Sequence, residues 1–371
     1  MHIAINAHLL SAQKGYRQAG IHRYIYGVIS HLPKVAPSAT FTLLLNHPLI
    51  EEWPRVVQRV GMNTSSAWRR IFWEQAIQPL ALRQIRPDVY HASAFVMPYG
   101  LRVPSVVTVF DLSFVHYPQV LSRSRKFYLQ TFTHNSCRRA TRIIAISEST
   151  KRDLISLWNV DPDKIDVSSV GVDPIYQPLP SDEIEAFRVR KNLPKRFVLF
   201  VGTLEPRKNL SMLLRAYAQL PVHVRQDLHL VLGGGKGWLY DDIFKTIEQY
   251  QLSETVHTPG YIPSEELVWW YNAADAFVYP TLYEGFGLPI VEAMACGKKV
   301  FASDSSSLPE AVGHVGTLLP SDDEIAWTHA LQTVYDQYPI PIQQDAIAWA
   351  AQFTWQRVAQ RIFDSYQQAI T

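Results

Sequence analysis

Short apolar runs alternate with amphipathic stretches of helical period along this chain, in two successive series. Residues 2–7, 40–45, 88–91, 105–110, 142–146 and 165–168 read as strands of the first series, and 197–201, 229–232, 276–279 and 300–303 as strands of the second. A run that is apolar throughout, without polar alternation, is buried on both faces, which a strand reaches in a parallel sheet covered by helices. Helical patterns over 210–219, 241–250, 265–273 and 290–295 supply that cover in the second series. The expected fold class is therefore α/β, two Rossmann-like units with parallel sheets. The proline-bearing segment between the series sets the boundaries: 1–173 for the first domain, 174–194 for a linker, 195–353 for the second domain. A length of 371 residues suits two domains.

In such sheets the loops at the carboxyl ends of the strands carry ligands. The most informative runs from Pro280 to Gly297, where a strand end, a glycine turn and a helix start bracket two carboxylates. Gly285 and Gly287 permit positive φ and close ligand approach, Pro289 suits a first helical turn, and the N–H groups that follow favour an anion. Glu284 and Glu292 border that space. A carboxylate repels a phosphate, so each more plausibly accepts hydrogen bonds from hydroxyls flanking one, which describes a sugar nucleotide. A purely structural alternative has Glu284 capping the turn and Glu292 complementing the helix dipole.

Gly202-Thr203-Leu-Glu-Pro-Arg207-Lys208 follows a strand and sets two cations before a helix. Arginine binds phosphate oxygens in a fork and lysine as a point charge; a solvated pair is the plainer alternative. Gln18-Ala-Gly20-Ile-His-Arg-Tyr either offers N–H groups to an anion or makes an ordinary turn. Gly233-Gly-Gly-Lys236 lacks the spacing and the hydroxyl residue of a phosphate loop. Asp161-Pro-Asp163 reads as a turn, Ser147 as a helix cap, and no metal site is expected. His22, His91 and His116 fall on expected loops or helix starts.

Two cysteines, Cys137 and Cys296, make neither a disulfide framework nor a metal cluster, and no run reaches the ~18 apolar residues of a membrane span. A cytoplasmic protein with no nucleic-acid partner is expected. The net charge of +2 conceals an asymmetry: 20 Lys+Arg against 11 Asp+Glu through Asp173, and 15 against 22 thereafter. A basic first half suits an anionic surface or acceptor, or is an ordinary wet face.

Glu284 and Glu292, inside Glu-Gly-Phe-Gly-Leu-Pro-Ile-Val-Glu-Ala-Met-Ala-Cys-Gly, resemble the E-x7-E motif of the family 4 retaining glycosyltransferases. The likeness extends through Ala19-Gly-Ile-His-Arg-Tyr, Ile146-Ser-Glu-Ser-Thr, Val170-Gly-Val-Asp173, Val201-Gly-Thr-Leu-Glu-Pro-Arg-Lys-Asn, Gly260-Tyr-Ile-Pro, Ser307-Leu-Pro-Glu310 and Phe353-Thr-Trp355. It implies the GT-B architecture, two Rossmann-like domains facing across a cleft, with residues 354–371 returning to the acceptor-side first domain. It implies a nucleoside diphosphate sugar as donor, with GDP-mannose favoured because this subtype is similar to bacterial mannosyltransferases, and a glycan or lipid-linked acceptor, with no cofactor. By the same resemblance Glu284 contacts the donor sugar, Glu292 the ribose, and Arg207 and Lys208 the diphosphate. Gly20, Gly202, Thr203, Gly285, Phe286, Gly287 and Leu288 would line the donor, and Tyr261 would lie beside the base.

Two departures from the family stand out. Phe110 replaces the histidine that usually precedes Asp111, so Asp111 or a loop histidine would have to compensate, and Thr203 replaces an arginine. A sugar-nucleotide epimerase or phosphorylase, or a non-catalytic nucleotide-sugar binder, remains open at this point. Finally, Trp68-Arg-Arg-Ile-Phe-Trp73 and the cations Arg123, Arg125, Lys126, Arg138 and Arg139 combine aromatic and basic residues as peripheral membrane proteins do, or else supply core aromatics and a solvated face.

Overall fold

The computed structural model describes residues 1–10, 20–49, 51–62, 64, 66–120 and 123–371. They form two compact units, Met1–Gly171 with Thr354–Thr371, and Val172–Phe353. The first holds β1 (His2–Asn6), β2 (Thr40–Leu45), β3 (Val56–Val60), β4 (Val89–Ala92), β5 (Ser105–Val109), β6 (Arg142–Ala145) and β7 (Ile165–Val167) in the order β3-β2-β1-β4-β5-β6-β7. The second holds β8 (Arg196–Val201), β9 (Leu228–Gly233), β10 (Val256–Gly260), β11 (Ala276–Tyr279), β12 (Lys299–Ser303) and β13 (Thr317–Leu319) in the order β10-β9-β8-β11-β12-β13. Every pairing is parallel. Each order reverses once, between β1 and β4 and between β8 and β11, and a doubly wound sheet binds ligands at such a reversal.

The runs read as strands mark all the central strands and the edge strand β7; the central ones are mostly apolar, with small hydroxyl residues such as Thr42 and Thr108 among them, because both faces are covered. The edge strands β3, β10 and β13 carry no such signature. Val57 and Val60 of β3 are exposed, β10 contains Pro259 and shifts register against β9, and β13 is three residues long.

The stretch 174–194, expected as a linker, packs into the second unit. Its helix Ser181–Lys191 buries Phe187 against Trp269 and Trp270, both with ring centroids 5.9 Å away, and the Arg188 guanidinium donates to the Ala273 carbonyl. Leu179 N–H donates to Asn272 Oδ1 at 3.0 Å. One aromatic anchor among charged residues leaves little periodicity to read.

The last helix, Trp355–Ile370, opens with Thr354 accepting from Arg357 N–H and lies along the helix Ile21–Val35 of the first unit. Room for the Trp355 indole exists only because positions 27 and 171 are glycines: a Cβ would come within 2.3 Å and 2.5 Å of it respectively. Tyr366 meets His91 Nδ1 at 2.7 Å, while Thr108 meets its Nε2 at 2.9 Å. His91 is thus a strand residue of the core and not a loop histidine; burial pushes its pKa down to about 3, so it stays neutral. His116 ends the short helix Ser113–His116 and pairs with Asp153 at 3.1 Å. Among the described residues no helix is long and apolar enough to cross a membrane.

Gly27→Ala is expected to cost about 1–3 kcal/mol by forcing the indole aside, read as a lower urea midpoint at unchanged slope.

Candidate functional site

The glycine run Gly233-Gly234-Gly235 joins strand ends. Gly202 N–H donates to Gly233 O at 2.9 Å, Gly234 N–H donates to Gly260 O at 2.8 Å, and a Cβ on Gly234 would sit 1.8 Å from Gly202 O. The loops after β8, β9 and β10 are therefore locked together, with Thr203 exposed and Tyr261, at 42% exposure, standing out beyond Gly260.

Past that lock the chain makes the 3-10 turn Pro206–Lys208, fastened to the loop after β11 by Leu282 N–H donating to Arg207 O at 2.9 Å. This brings Arg207 and Lys208 to Glu284 at the β8/β11 reversal. Lys208 Nζ donates to Glu284 Oε1 and, at 3.3 Å, to the Tyr279 hydroxyl; that hydroxyl donates to Glu284 Oε1 at 3.1 Å. Arg207 Nη1 lies 3.1 Å from Glu284 Oε2, and the same guanidinium donates twice to Glu205 Oε1, at 2.7 and 3.0 Å. Both cations expected at a diphosphate thus already hold a carboxylate, so the pair reads as a preorganised cluster and not as two solvated charges.

Burial alone would raise the Glu284 carboxyl, but the charges and hydrogen bonds of Lys208 and Arg207 overcome it and hold it at about 2. Burial pushes Lys208 below the usual lysine range, with Glu284 opposing. Burial and Glu284 lift the Tyr279 phenol well above its ordinary value, so it remains a donor.

Three serines after β12 fix the turn around Glu284. Ser306 Oγ accepts from Glu284 N–H at 2.9 Å, Ser307 Oγ donates to Glu284 O at 2.9 Å, and Ser305 Oγ donates to Thr281 O at 2.8 Å. Of the two turn glycines, only Gly287 adopts positive φ, at 100°, where it precedes the helix Leu288–Ala295; Gly285 does not. The Phe286 ring is buried against Phe353, with centroids 5.4 Å apart, and Leu288 is half-buried at the helix start. Any donor contact at Phe286 falls to its backbone. Glu292, 1% exposed, accepts from the Tyr271 hydroxyl at 2.8 Å.

In the first unit Gly20 opens the helix Ile21–Val35 at φ 43°, with open space where a Cβ would be; Gln18 and Ala19 lie outside the described residues. Asp111 Oδ1 accepts from Ser113 N–H at 2.8 Å, and the Phe110 ring is buried edge-on against Tyr24 at 5.0 Å. At the β1/β4 reversal, His8 Nδ1 meets Asn6 Oδ1 at 2.6 Å, His8 Nε2 meets Glu74 Oε1 at 3.2 Å, and the Tyr128 hydroxyl donates to Glu74 Oε2 at 2.5 Å. Among the described residues no three His, Cys, Asp or Glu side chains could hold a metal ion.

Sequence reading missed Tyr271 and Tyr279, which sit in apolar runs indistinguishable from core, and the Glu74–His8 pair, which joins distant segments. The serine run 305–307 was a legible signal.

Because Glu284 ionises more readily folded than unfolded, its contribution to stability is present above the unfolded carboxyl range and is lost as pH falls from roughly 4.5 toward about 2. Glu284→Gln should show a flatter acid limb than wild type in urea midpoints measured between pH 5 and pH 3.

Residues 18–175 match the description "Glycosyltransferase Family 4" and residues 181–350 match "Glycosyl transferases group 1". The chain is 30% identical to O-antigen chain mannosyltransferase B of Escherichia coli over 370 residues, 95% of this chain and 97% of that protein. It is 27% identical to the serotype-specific mannosyltransferase WbdA of Escherichia coli over 79% of this chain but 38% of that protein. Sucrose-phosphate synthase from Thermosynechococcus elongatus shares the fold, with a TM-score of 0.75, 22% identity, and coverage of 99% of this chain and 98% of that one.

Proposed function

The chain belongs to the family 4 glycosyltransferases, with the GT-B fold, and from that premise we propose that it moves mannose from GDP-mannose to a glycan or lipid-linked acceptor, with retention at the anomeric carbon. The carrying observation is the Glu284 carboxylate held by Lys208, Arg207 and Tyr279 at a sheet reversal. Likeness over nearly full length to an O-antigen mannosyltransferase supports the choice of sugar and of polysaccharide synthesis. No observation favours an epimerase, a phosphorylase or a non-catalytic binder.

Breaking the bond from the anomeric carbon to the diphosphate puts negative charge on phosphate and positive charge on the sugar ring. In this reading the incoming sugar hydroxyls donate to Glu284, and its hold on Arg207 and Lys208 loosens as phosphate oxygens take their N–H groups. The helix start at Leu288 adds backbone donors. One preorganised donor at developing charge is worth roughly 3–4 kcal/mol, so the cluster supplies leaving-group stabilisation without a metal. Glu292 would meet the ribose, with Tyr271 holding its other oxygen; Tyr261 would flank the base. Asp111 remains the first unit's proposed contact to sugar or acceptor, since Phe110 is packed away from that role.

A cytoplasmic setting is supported by Cys137 and Cys296, both buried as free thiols. Peripheral membrane docking is supported by Trp68 at 79% exposure and Phe72 at 58%, which flank Arg69 and Arg70 on one helix. It has narrower support than the sequence offered: Trp73 is a core residue with its ring tilted 45° to that of His8, 5.2 Å away, and Arg139 lies 4.9 Å over the Tyr99 ring.

Thermal shift should show stronger stabilisation by GDP than by UDP, unchanged by chelator; activity abolished by chelator and restored only by a divalent ion would sink the metal-independent reading. Glu292→Ala should mainly weaken GDP binding, whereas Glu284→Ala should mainly lower turnover. Vesicle cosedimentation addresses docking: anionic vesicles should retain wild type at low salt and release a Trp68→Ser/Phe72→Ser variant.

A further inference from the structure

On the first unit, away from the Glu284 cluster in sequence and in sheet, a cavity of about 390 Å³ opens between the helices Arg123–Arg139 and Glu148–Trp158. Trp158 forms its aromatic wall, and Gln130, Thr131, His134, Asn135 and Arg138 supply the polar side. Gln130, Thr131, His134 and Arg138 fall on one stripe of their helix, at the three- and four-residue spacings that align side chains.

The indole is held in place. Phe114 packs 6.1 Å from it, and the His134 ring lies 5.3 Å from it at 34°. Partial burial and the Arg138 charge keep the His134 imidazole below its usual range, so it is neutral near pH 7. The polar groups, by contrast, are only partly committed. Gln130 donates its amide to Phe114 O at 3.1 Å. Among the described residues, neither Asn135 nor Arg138 hydrogen-bonds to another side chain or ion-pairs with a carboxylate.

A half-buried indole beside amides and a guanidinium, with no carboxylate in the wall, matches a ligand that has an apolar C–H patch and an edge of hydroxyls. A sugar ring has both. A single cation is too little charge for a polyphosphate or an anionic headgroup, which call for clusters. We propose that this groove is a glycan subsite that holds the mannose chain of the acceptor on the first unit. The identity of the sugar rests on the mannosyltransferase reading above; the groove as a glycan site rests on Trp158, Asn135 and Arg138.

The test is saturation-transfer NMR with α-linked mannohexaose, and with maltohexaose as comparison, on the full chain. The variants are Asn135→Ala/Arg138→Ala, at a half-buried and an exposed position, and Trp158→Ala, with melting temperatures measured for both. Wild type should bind mannohexaose, and the double variant should bind it roughly three- to tenfold more weakly at unchanged melting temperature. Undetectable binding to wild type, or equal affinity in wild type and the double variant, overturns the subsite. So does a double variant that loses only anionic vesicle binding. Preference for maltohexaose upholds the groove and counts against the mannose reading, as does mannohexaose binding by a chain that shows no turnover with GDP-mannose.

Discussion

The Glu284 carboxylate is the charge on which the second unit's ligand-facing end depends. Its side chain is 13% exposed, and two cations and a phenol surround it. Taking such a group out of water costs several kcal/mol, which only close opposite charge and complete hydrogen bonding offset. The surroundings follow from that requirement. The serines after β12 hold its backbone, the 3-10 turn delivers Arg207 and Lys208, and the stacked rings of Phe200, Tyr279 and Phe277 keep the phenol in register. Losing one partner leaves a buried charge uncompensated, so the four groups hold one another in place.

The first unit repeats the theme with different chemistry. At its own sheet reversal a buried carboxylate, Glu74, is shared between His8 and Tyr128. Glu74 is turned inward by a π-helical segment, Trp73–Ile77, that directly follows the helix bearing the exposed Trp68 and Phe72. The surface aromatics and the end of β1 are therefore joined by a short covalent and hydrogen-bonded path.

The fold was legible wherever burial is two-sided. β2, β5 and β11 are mostly apolar, with only small hydroxyl residues such as Thr42 and Thr108 among them, because both faces of the sheet are covered, whereas β3 and β13 answer to one neighbour and leave no pattern. The Glu284 turn was legible for a different reason: glycine, proline and carboxylate at fixed offsets have few joint explanations. What could not be read was partnership at a distance. Nothing around position 208 announces Glu284, nothing around position 8 announces Glu74, and Tyr279 looks like any other strand residue until its hydroxyl is seen to meet both Lys208 and Glu284. His91 misled in the opposite direction, as a polar residue whose partners, Thr108 and Tyr366, lie in another strand and in the last helix.

The first unit is also discontinuous in the chain: its closing helix, Trp355–Ile370, is made only after the whole of the second unit. The whole of Val172–Phe353 is translated first, which at ordinary elongation rates takes roughly 10 to 40 s. During that interval the glycine-lined recess at Gly27 and Gly171 and the imidazole of His91 have no cover. The nascent amino-terminal sheet thus emerges early but is completed only after the second unit has been made, with an apolar seam open to chaperones in the meantime.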